Sequence, residues 1–290
     1  MKRGARKGWR WRVSERTANK DLHLLYEPGN WGDILKGLWA ILATRTIIEV
    51  RGLKIFHHFD PFAGAPTYPL VEASRRRLEG LPLEGLKELQ EPYGARGLMA
   101  STAVLVRDAA GTSGAQAELK VFDLDPVRKE AWKGEASAQI LEAESGEDAI
   151  ERLRSLVDGP TPGAGVPDLV LVDPYDLFNH PERLLPPALS IARLSTVLLY
   201  SYNKAPRGPG QWRLYQDLRK AIVKGLPPGC SCLVGRIPAD PSLARAHHEV
   251  FLIGPEETLS KVREELRQST AKLARWLAEM GCFEEIFRSA

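Results

Sequence analysis

One pattern recurs along the chain: a short apolar run ends abruptly at a polar residue, and a segment with helical periodicity follows. The clearest case is residues 167–178, PDLVLVDPYDLF, where four consecutive apolar residues precede Asp173. Continuous apolar runs of this length are typical of strands buried on both faces of a parallel sheet. Since such runs alternate with helical segments, the sequence predicts an α/β fold with a mostly parallel sheet and helices on both faces.

Four of the predicted strands end in polar or acidic residues. These positions are Asp60, Asp123, the turn at residues 144–146 and Asp173. Parallel strands place their carboxyl ends at one edge of the sheet, and ligands of open α/β sheets bind beyond that edge, near the point where the strand order reverses. We therefore expect these four positions to border one binding site.

The residues at these strand ends suit a cofactor that contains adenosine. Small residues, Ala63-Gly64-Ala65, follow Asp60 and would let a ligand approach the backbone. A carboxylate at the end of the second strand, here Asp123, can accept hydrogen bonds from both hydroxyls of a ribose. The segment does not form a GxGxxG motif, so S-adenosylmethionine is a better candidate than a dinucleotide.

Together with a segment near the start of the chain, these strand ends form a longer ordered pattern. The segments are YEPGNWGDILK at residues 26–36, DPFAGAPTY at 60–68, DLDP at 123–126 and DPYD at 173–176. They resemble, in order, the YHAGNxxDVLKH, DTHAGxGxY, ELHP and DPPY motifs of the bacterial RlmJ-type 23S rRNA adenine-N6 methyltransferases. The resemblance runs from about residue 21 to about residue 205, and its first segment is the most specific part.

The resemblance implies a Rossmann-like S-adenosylmethionine-dependent methyltransferase fold over residues 21–290, with a small helical insertion at about residues 70–100. It implies that Asp60 and Gly64 lie against the methionine part of the cofactor, that Asp123 holds the ribose and that the 144–146 turn borders the adenine. The predicted cofactor-binding residues are Lys36, Asp60, Phe62, Gly64, Asp123, Ser145 and Gly146. For Lys36, a solvated lysine on a helix is the alternative interpretation.

The resemblance also implies that Asp173, Pro174 and Tyr175 take part in catalysis. The exocyclic amine of adenine is a poor nucleophile because its lone pair delocalises into the ring. The Asp173 carboxylate and the Pro174 carbonyl can accept hydrogen bonds from the two N6 hydrogens and turn the lone pair toward the methyl group. An aromatic ring, here Tyr175, stacks on a base that has left its helix. The predicted substrate contacts are Tyr26, Asn30, Asn203 and Lys204.

The charge at the start of the chain points to a nucleic acid partner. Residues 1–20 carry eight Lys or Arg and one acidic residue, Glu15, with Trp9 and Trp11 among them. Basic residues neutralise phosphates and aromatic rings stack on bases, so this basic arm predicts contact with a nucleic acid. The resemblance implies that this partner is RNA, and more narrowly ribosomal RNA. A flexible, solvated tail is the alternative interpretation of these residues.

Composition argues against several other classes of protein. Three cysteines in 290 residues argue against a disulfide framework and for a reducing, cytoplasmic compartment. No uninterrupted apolar run reaches about 18 residues, so no membrane span is expected. The neighbours His57 and His58 would point to opposite faces of a strand and are poorly placed to bind one metal ion, so no metal site is predicted. The sequence leaves the oligomeric state open.

Four departures from the family motifs motivate alternatives for the function. The DPPY-like motif lacks its second proline, so that Tyr175 stands one place early, Phe62 and Gly37 replace histidines, and Ser145 replaces an acidic residue. The first hypothesis is methylation of adenine N6 in RNA. The second is a methyltransferase fold that no longer catalyses and serves as an RNA-binding or assembly protein. A third keeps the catalysis but directs it to DNA or a small molecule.

Overall fold

The computed structural model describes residues 29–159, 165–174, 181–203, 209–238, 247–279 and 288–289. The basic arm at residues 1–20 and the predicted site residues Tyr26, Tyr175 and Lys204 lie outside the described residues. Within them the chain forms an α/β fold around one large sheet. None of the described helices is long and apolar enough to cross a membrane.

The large sheet contains eight of the described strands, and a small hairpin lies apart from it. In chain order the strands are β1 (Ile55–Asp60), β2 (Thr67–Pro69), β3 (Leu98–Ala100), β4 (Gln116–Val121), β5 (Ala138–Ile140), β6 (Leu169–Val172), β7 (Thr196–Asn203), β8 (Cys230–Pro238), β9 (His247–Pro255) and β10 (Arg288–Ser289). Strands β2 and β3 form the hairpin, and the others form the large sheet in the spatial order β10-β8-β9-β7-β6-β1-β4-β5.

Helices connect most of these strands and cover both faces of the large sheet. In chain order they are α1 (Trp31–Arg51), α2 (Glu72–Gly80), α3 (Glu84–Gly94), α4 (Thr102–Thr112), α5 (Pro126–Trp132), α6 (Gly146–Val157), α7 (Pro181–Ile191), α8 (Pro209–Gly225) and α9 (Glu256–Glu279). Helices α1, α4 and α9 share a core on one face. Helices α6, α7 and α8 share a second core on the opposite face.

The strand order reverses between β1 and β6. From β1 the chain moves outward to β4 and β5, then crosses to the other side of β1 to form β6 and β7, and each neighbouring pair among these five strands is parallel. Strand β9 runs antiparallel to both β7 and β8. Five parallel strands whose order reverses between β1 and β6, followed by the antiparallel strand β9 between β7 and β8, confirm the predicted Rossmann-like α/β fold.

Strand β6 shows why an apolar run stops where the site begins. Leu169 and Leu171 pack into the core on the α1 face, whereas Val170 and Val172 pack into the core on the α7 face. All four are buried because helices cover both faces of the sheet at this point. The first residue past the strand is Asp173, so the polar group stands at the carboxyl edge.

Helix α1 carries a charged side chain into the interior of the protein. Asn30 caps the helix, since its Oδ1 accepts hydrogen bonds from the backbone N–H groups of Gly32 at 2.7 Å and Asp33 at 3.2 Å. The helix then packs against α4, α9, β7 and β9, and it buries Lys36 to 4% exposure. A lysine this deeply buried needs a partner for its charge, and the partner is described below.

The segment 61–101 lies between β1 and α4 and contains α2, α3 and the hairpin. It is tied to the main sheet domain by polar contacts. The Tyr93 hydroxyl donates to the Asp108 carboxylate of α4 at 2.6 Å. The Arg77 guanidinium of α2 donates to the Gly29 carbonyl at 3.2 Å. These contacts hold α2 beside the start of α1.

Candidate active site

The carboxyl ends of β4, β1 and β6 bring three aspartates together. Asp60 is the last residue of β1 and pairs with Val121 of β4, so Asp123 lies two residues beyond its level on one side. The pairing of β1 with β6 puts Asp173 two residues beyond Asp60 on the other side. Three of the residues singled out from the sequence therefore form one cluster, at the point where the strand order reverses.

Asp60 is the central and most buried member of this cluster. It is 2% exposed, and its Oδ1 accepts a hydrogen bond from the Phe62 backbone N–H at 3.0 Å. Burial raises the pKa of Asp60 to about 7, and the negative charges of Asp173 and Asp123 act in the same direction. The Phe62 hydrogen bond and the Lys36 ammonium oppose this shift of the pKa without cancelling it. Asp60 therefore changes its charge near neutral pH.

The turn after β1 is held in one conformation by two contacts. Gly64 has φ +64°, a left-handed conformation that glycine adopts without strain, and a Cβ there would overlap the Tyr68 hydroxyl. The Ala65 backbone N–H donates to that hydroxyl at 2.9 Å. The Trp132 indole N–H donates to the Gly64 carbonyl at 2.8 Å. A short, rigid turn results at the carboxyl end of β1, and its small residues are Ala63, Gly64 and Ala65.

The Phe62 ring joins this turn to the start of α6. A Cβ on Gly146 would overlap the ring, so the two residues are in direct contact. Ser145 caps α6, because its hydroxyl accepts a hydrogen bond from the Asp148 backbone N–H at 3.1 Å. The substitution of a family histidine by Phe62 thus places an apolar ring against the 144–146 turn, where the resemblance predicts the adenine.

Asp123 already binds groups of its own segment. Its Oδ1 accepts a hydrogen bond from the Asp125 backbone N–H at 2.7 Å, and its Oδ2 lies 3.4 Å from an Arg128 guanidinium nitrogen. A carboxylate offers about four lone-pair sites, so hydroxyl donors can still be accepted. The contact between Asp123 and Arg128 was not predicted from the sequence. The only signal for it was an arginine five residues after Asp123, in the segment DPVR at residues 125–128.

Asp173 is held by the buried lysine of α1. The Lys36 ammonium contacts Asp173 Oδ2, and it also lies 3.0 Å from Asp33 Oδ1. Asp33 in turn accepts a hydrogen bond from the Gly29 backbone N–H at 2.9 Å. Burial raises the pKa of Asp173, and the Lys36 charge partly offsets the rise. The structure thus places Lys36, singled out as a cofactor ligand, directly against the carboxylate singled out for catalysis.

Three stacked rings lie next to this ion pair. The sequence indicates the strand end at residues 201–204, which includes Tyr202, as a substrate contact, but it does not indicate Tyr200 or His248. The Tyr200 hydroxyl and His248 Nδ1 are 2.7 Å apart, and their rings lie 6.0 Å apart at 22°. The Tyr202 ring lies 5.1 Å from the His248 ring at 27°. The Lys36 ammonium is 4.6 Å from the centre of the Tyr200 ring. The alternation Tyr-Ser-Tyr at residues 200–202, near the end of β7, was the available signal, because alternate residues of a strand lie on one face.

The remaining predicted residues take varied positions. Asn30 uses its side-chain oxygen to cap α1, and Asn203 is the last residue of β7, where it pairs with His247 of β9. His57 is exposed and lies 3.2 Å from Glu118, whereas His58 is buried and contacts the Leu169 carbonyl at 3.0 Å. Among the described residues, no cluster of three or more His, Cys, Asp or Glu side chains could hold a metal ion.

The donor set at this edge fits an adenosine cofactor with an amino acid chain. Asp60 offers a carboxylate for an ammonium group, and Asp123 offers acceptors for ribose hydroxyls. The turn around Gly64 lets a ligand approach the backbone. Asp173 adds a further carboxylate on the side of Asp60 opposite to Asp123.

Comparison with known proteins supports the fold but does not identify an activity or a substrate. No protein-family model and no curated protein match the sequence. The crystal structure of protein LPL1258 from Legionella pneumophila, assigned to the family DUF519, is similar with a TM-score of 0.63 and 12% identity, over 91% of this chain and 98% of that one. At this identity the similarity extends to the fold alone.

Two further solved structures show a weaker similarity. A Listeria monocytogenes protein, provisionally assigned as a class I S-adenosylmethionine-dependent methyltransferase, has a TM-score of 0.41 and 9% identity, over 84% of this chain and 73% of that one. A Thermoplasma acidophilum protein, provisionally assigned as a methyltransferase, has a TM-score of 0.30 and 10% identity, over 71% of each chain. These TM-scores are too low to support an argument about either fold or activity.

Proposed function

We propose that the protein is an S-adenosylmethionine-dependent methyltransferase that modifies the exocyclic N6 amine of adenine in RNA, with ribosomal RNA as the substrate class. The observation that supports this best is the position of Asp173-Pro174 at the end of β6, directly beside Asp60. The carboxylate that would bind the substrate amine and the carboxylate that would bind the cofactor then lie at one edge of the sheet. Methyl transfer requires the amine and the cofactor to be held this close together.

Each residue of the cluster has a distinct role in this proposal. The Asp60 carboxylate binds the ammonium of the cofactor, and Asp123 accepts hydrogen bonds from the ribose. When bound, the cofactor supplies a methyl group on a positively charged sulfur. Asp173 Oδ2 contacts Lys36, which leaves Oδ1 to accept one N6 hydrogen, while the Pro174 carbonyl accepts the other.

The same groups account for the proton that the reaction releases. The new carbon–nitrogen bond forms as the carbon–sulfur bond breaks, and the amine then carries one proton too many. Burial raises the pKa of Asp173, so its carboxylate is a suitable acceptor for that proton. Placement and exclusion of water supply the remaining contributions to the rate.

Support for RNA comes from the sequence. The basic arm at residues 1–20 carries the charge that a phosphate backbone would need. An exocyclic amine inside a duplex is out of reach, so the target adenine must be unpaired or flipped out of its helix.

The test is methyl transfer from labelled S-adenosylmethionine to ribosomal RNA, followed by mass spectrometry of the nucleosides. We expect N6-methyladenosine from the wild-type protein and none from Asp173→Ala. The exposed Asp158→Ala serves as the matched control for the loss of one carboxylate. Asp173→Ala should still bind S-adenosylhomocysteine in calorimetry. Transfer that persists in Asp173→Ala would refute the assigned role, and a different methylated nucleoside would refute the target.

One observation favours a second candidate, a methyltransferase fold that binds RNA without catalysis. Asp173 contacts a Lys36 ammonium and Asp123 contacts an Arg128 guanidinium, so both carboxylates already have cationic partners. This candidate predicts salt-sensitive RNA binding but no heat of binding with S-adenosylhomocysteine at millimolar concentration. Micromolar binding that Asp123→Ala abolishes would rule it out.

A further inference from the structure

Of the three stacked rings, Tyr202 has the most exposed side chain. Tyr200 and His248 are buried, but Tyr202 is 38% exposed. Large aromatic side chains at a strand end usually bury their rings, because each removes a large apolar area from water. Tyr202 keeps part of its surface exposed at the carboxyl edge of the sheet.

The inner rings hold Tyr202 in a fixed orientation. The Tyr200 hydroxyl satisfies His248 Nδ1 at 2.7 Å, which fixes the plane of the imidazole. Burial lowers the pKa of His248 to about 4, so the ring is neutral at physiological pH. A neutral imidazole within 5.1 Å and 27° of the Tyr202 ring is a flat apolar support. The Tyr202 ring is therefore already ordered before a ligand binds, so binding costs less conformational entropy.

The register of the sheet sets the position of this ring relative to Asp173. Val172 pairs with Leu199 of β7, so Asp173 is level with Tyr200, and Tyr202 lies two residues farther out on the same face. One strand spacing across and two residues along correspond to a Cα separation of about 8 Å. A base that stacks on Tyr202 can thus direct its edge toward the Asp173 carboxylate.

We propose that Tyr202 is the stacking surface for an unpaired purine, with His248 and Tyr200 as its supporting rings. This inference rests on the proposed function for the identity of the base, and it assigns the substrate contact to a residue outside the four family-like segments. Stacking on an aromatic side chain is tolerant of sequence, because every base has a π face. Loss of the ring should weaken binding about tenfold or more, as alanine substitution does at other stacked bases.

The experiment separates stacking from methyl transfer. The probe is a single-stranded oligoribonucleotide with one 2-aminopurine, whose fluorescence falls when the base stacks. We expect the wild-type protein and Tyr202→Phe to quench the probe. Tyr202→Leu, which keeps a side chain of similar bulk but cannot stack, should lose most of the quenching. Val223→Ala, an exposed apolar position on α8, is the control for a surface change elsewhere.

The possible outcomes distinguish the stacking site from the proposed methyl transfer. Quenching that depends on Tyr202 without methylation of any RNA would support the stacking site and refute the proposed function. Methylation with unchanged quenching and unchanged KM in Tyr202→Leu would refute the stacking site and support the function. A raised KM with unchanged kcat in that variant, at an unaltered thermal midpoint, is the result that supports both. Absence of quenching by the wild-type protein would refute the stacking site.

Discussion

The buried carboxyl group of Asp60 should make the protein less stable as the pH rises, and Asp60→Asn should remove that loss. Burial raises the pKa of Asp60 from 3.8 to about 7. A carboxyl group with a raised pKa in the folded state holds its proton more tightly there than in the unfolded chain. Its stabilising contribution is therefore complete below pH 3.8 and is lost as the pH rises to 7 and beyond.

The size of the effect follows from the two pKa values. Between pH 5 and pH 8, a shift from 3.8 to about 7 corresponds to a loss of about 3 kcal/mol in the free energy of unfolding. Asparagine has the same shape and keeps an oxygen that can accept the Phe62 N–H, but it cannot ionise. Asp60→Asn should thus gain about 3 kcal/mol over the wild-type protein between these two pH values.

Urea unfolding at pH 5 and pH 8, followed by circular dichroism, measures the difference. The exposed Asp158→Asn is the control for the removal of one negative charge from the surface. The comparison of interest is the change in stability between the two pH values for each protein. If wild-type and Asp60→Asn proteins showed the same change, the carboxyl group would not be held neutral by burial, and the reasoning would fail.

Three further predictions concern the same cluster. S-adenosylhomocysteine should bind about 25-fold more tightly at pH 7.5 than at pH 5.5, because its ammonium group would pair with ionised Asp60. The control ligand 5′-methylthioadenosine lacks the amino acid and should bind equally at both pH values. Calorimetry measures both affinities. Gly146→Ala should cost about 1–3 kcal/mol through overlap with the Phe62 ring, and Phe62→Ala in the same chain should recover part of the loss in thermal unfolding. Lys36→Met should cost up to about 3 kcal/mol, because the Asp173 carboxylate, whose side chain is only 20% exposed, loses its partner. That cost should shrink toward pH 5 in urea unfolding, as Asp173 takes up a proton.

The strand ends could be predicted from the sequence because each is marked by an abrupt change of polarity. The apolar run before Asp173 and the run before Asp60 end at the carboxyl edge, and the parallel sheet then places both residues side by side. A continuous apolar run indicates a strand that is buried on both faces of the sheet. In a parallel sheet the carboxyl ends of such strands lie at one edge, so the residues that follow them lie side by side.

The contacts between distant segments could not be predicted in the same way. Nothing near Lys36 in the sequence indicates that it reaches Asp173, which lies 137 positions later. His248 looked like one of two adjacent histidines, and only the pairing of β9 with β7 brings it against Tyr202. Such contacts depend on strand order and register, which local patterns do not encode.

The position of α1 has a consequence for how the protein is made. This helix belongs to the early part of the chain, yet it packs against α9 through a hydrogen bond of 3.0 Å from Trp39 to Thr270. During synthesis at about 5–20 residues per second, α1 would leave the ribosome well before α9 and β9 exist to cover it. The part of its apolar surface that α9 covers in the folded protein stays exposed, or bound by a chaperone, until residues 256–279 have been made. The stacked rings beside Asp173 are likewise complete only after β9, which carries His248, has been made.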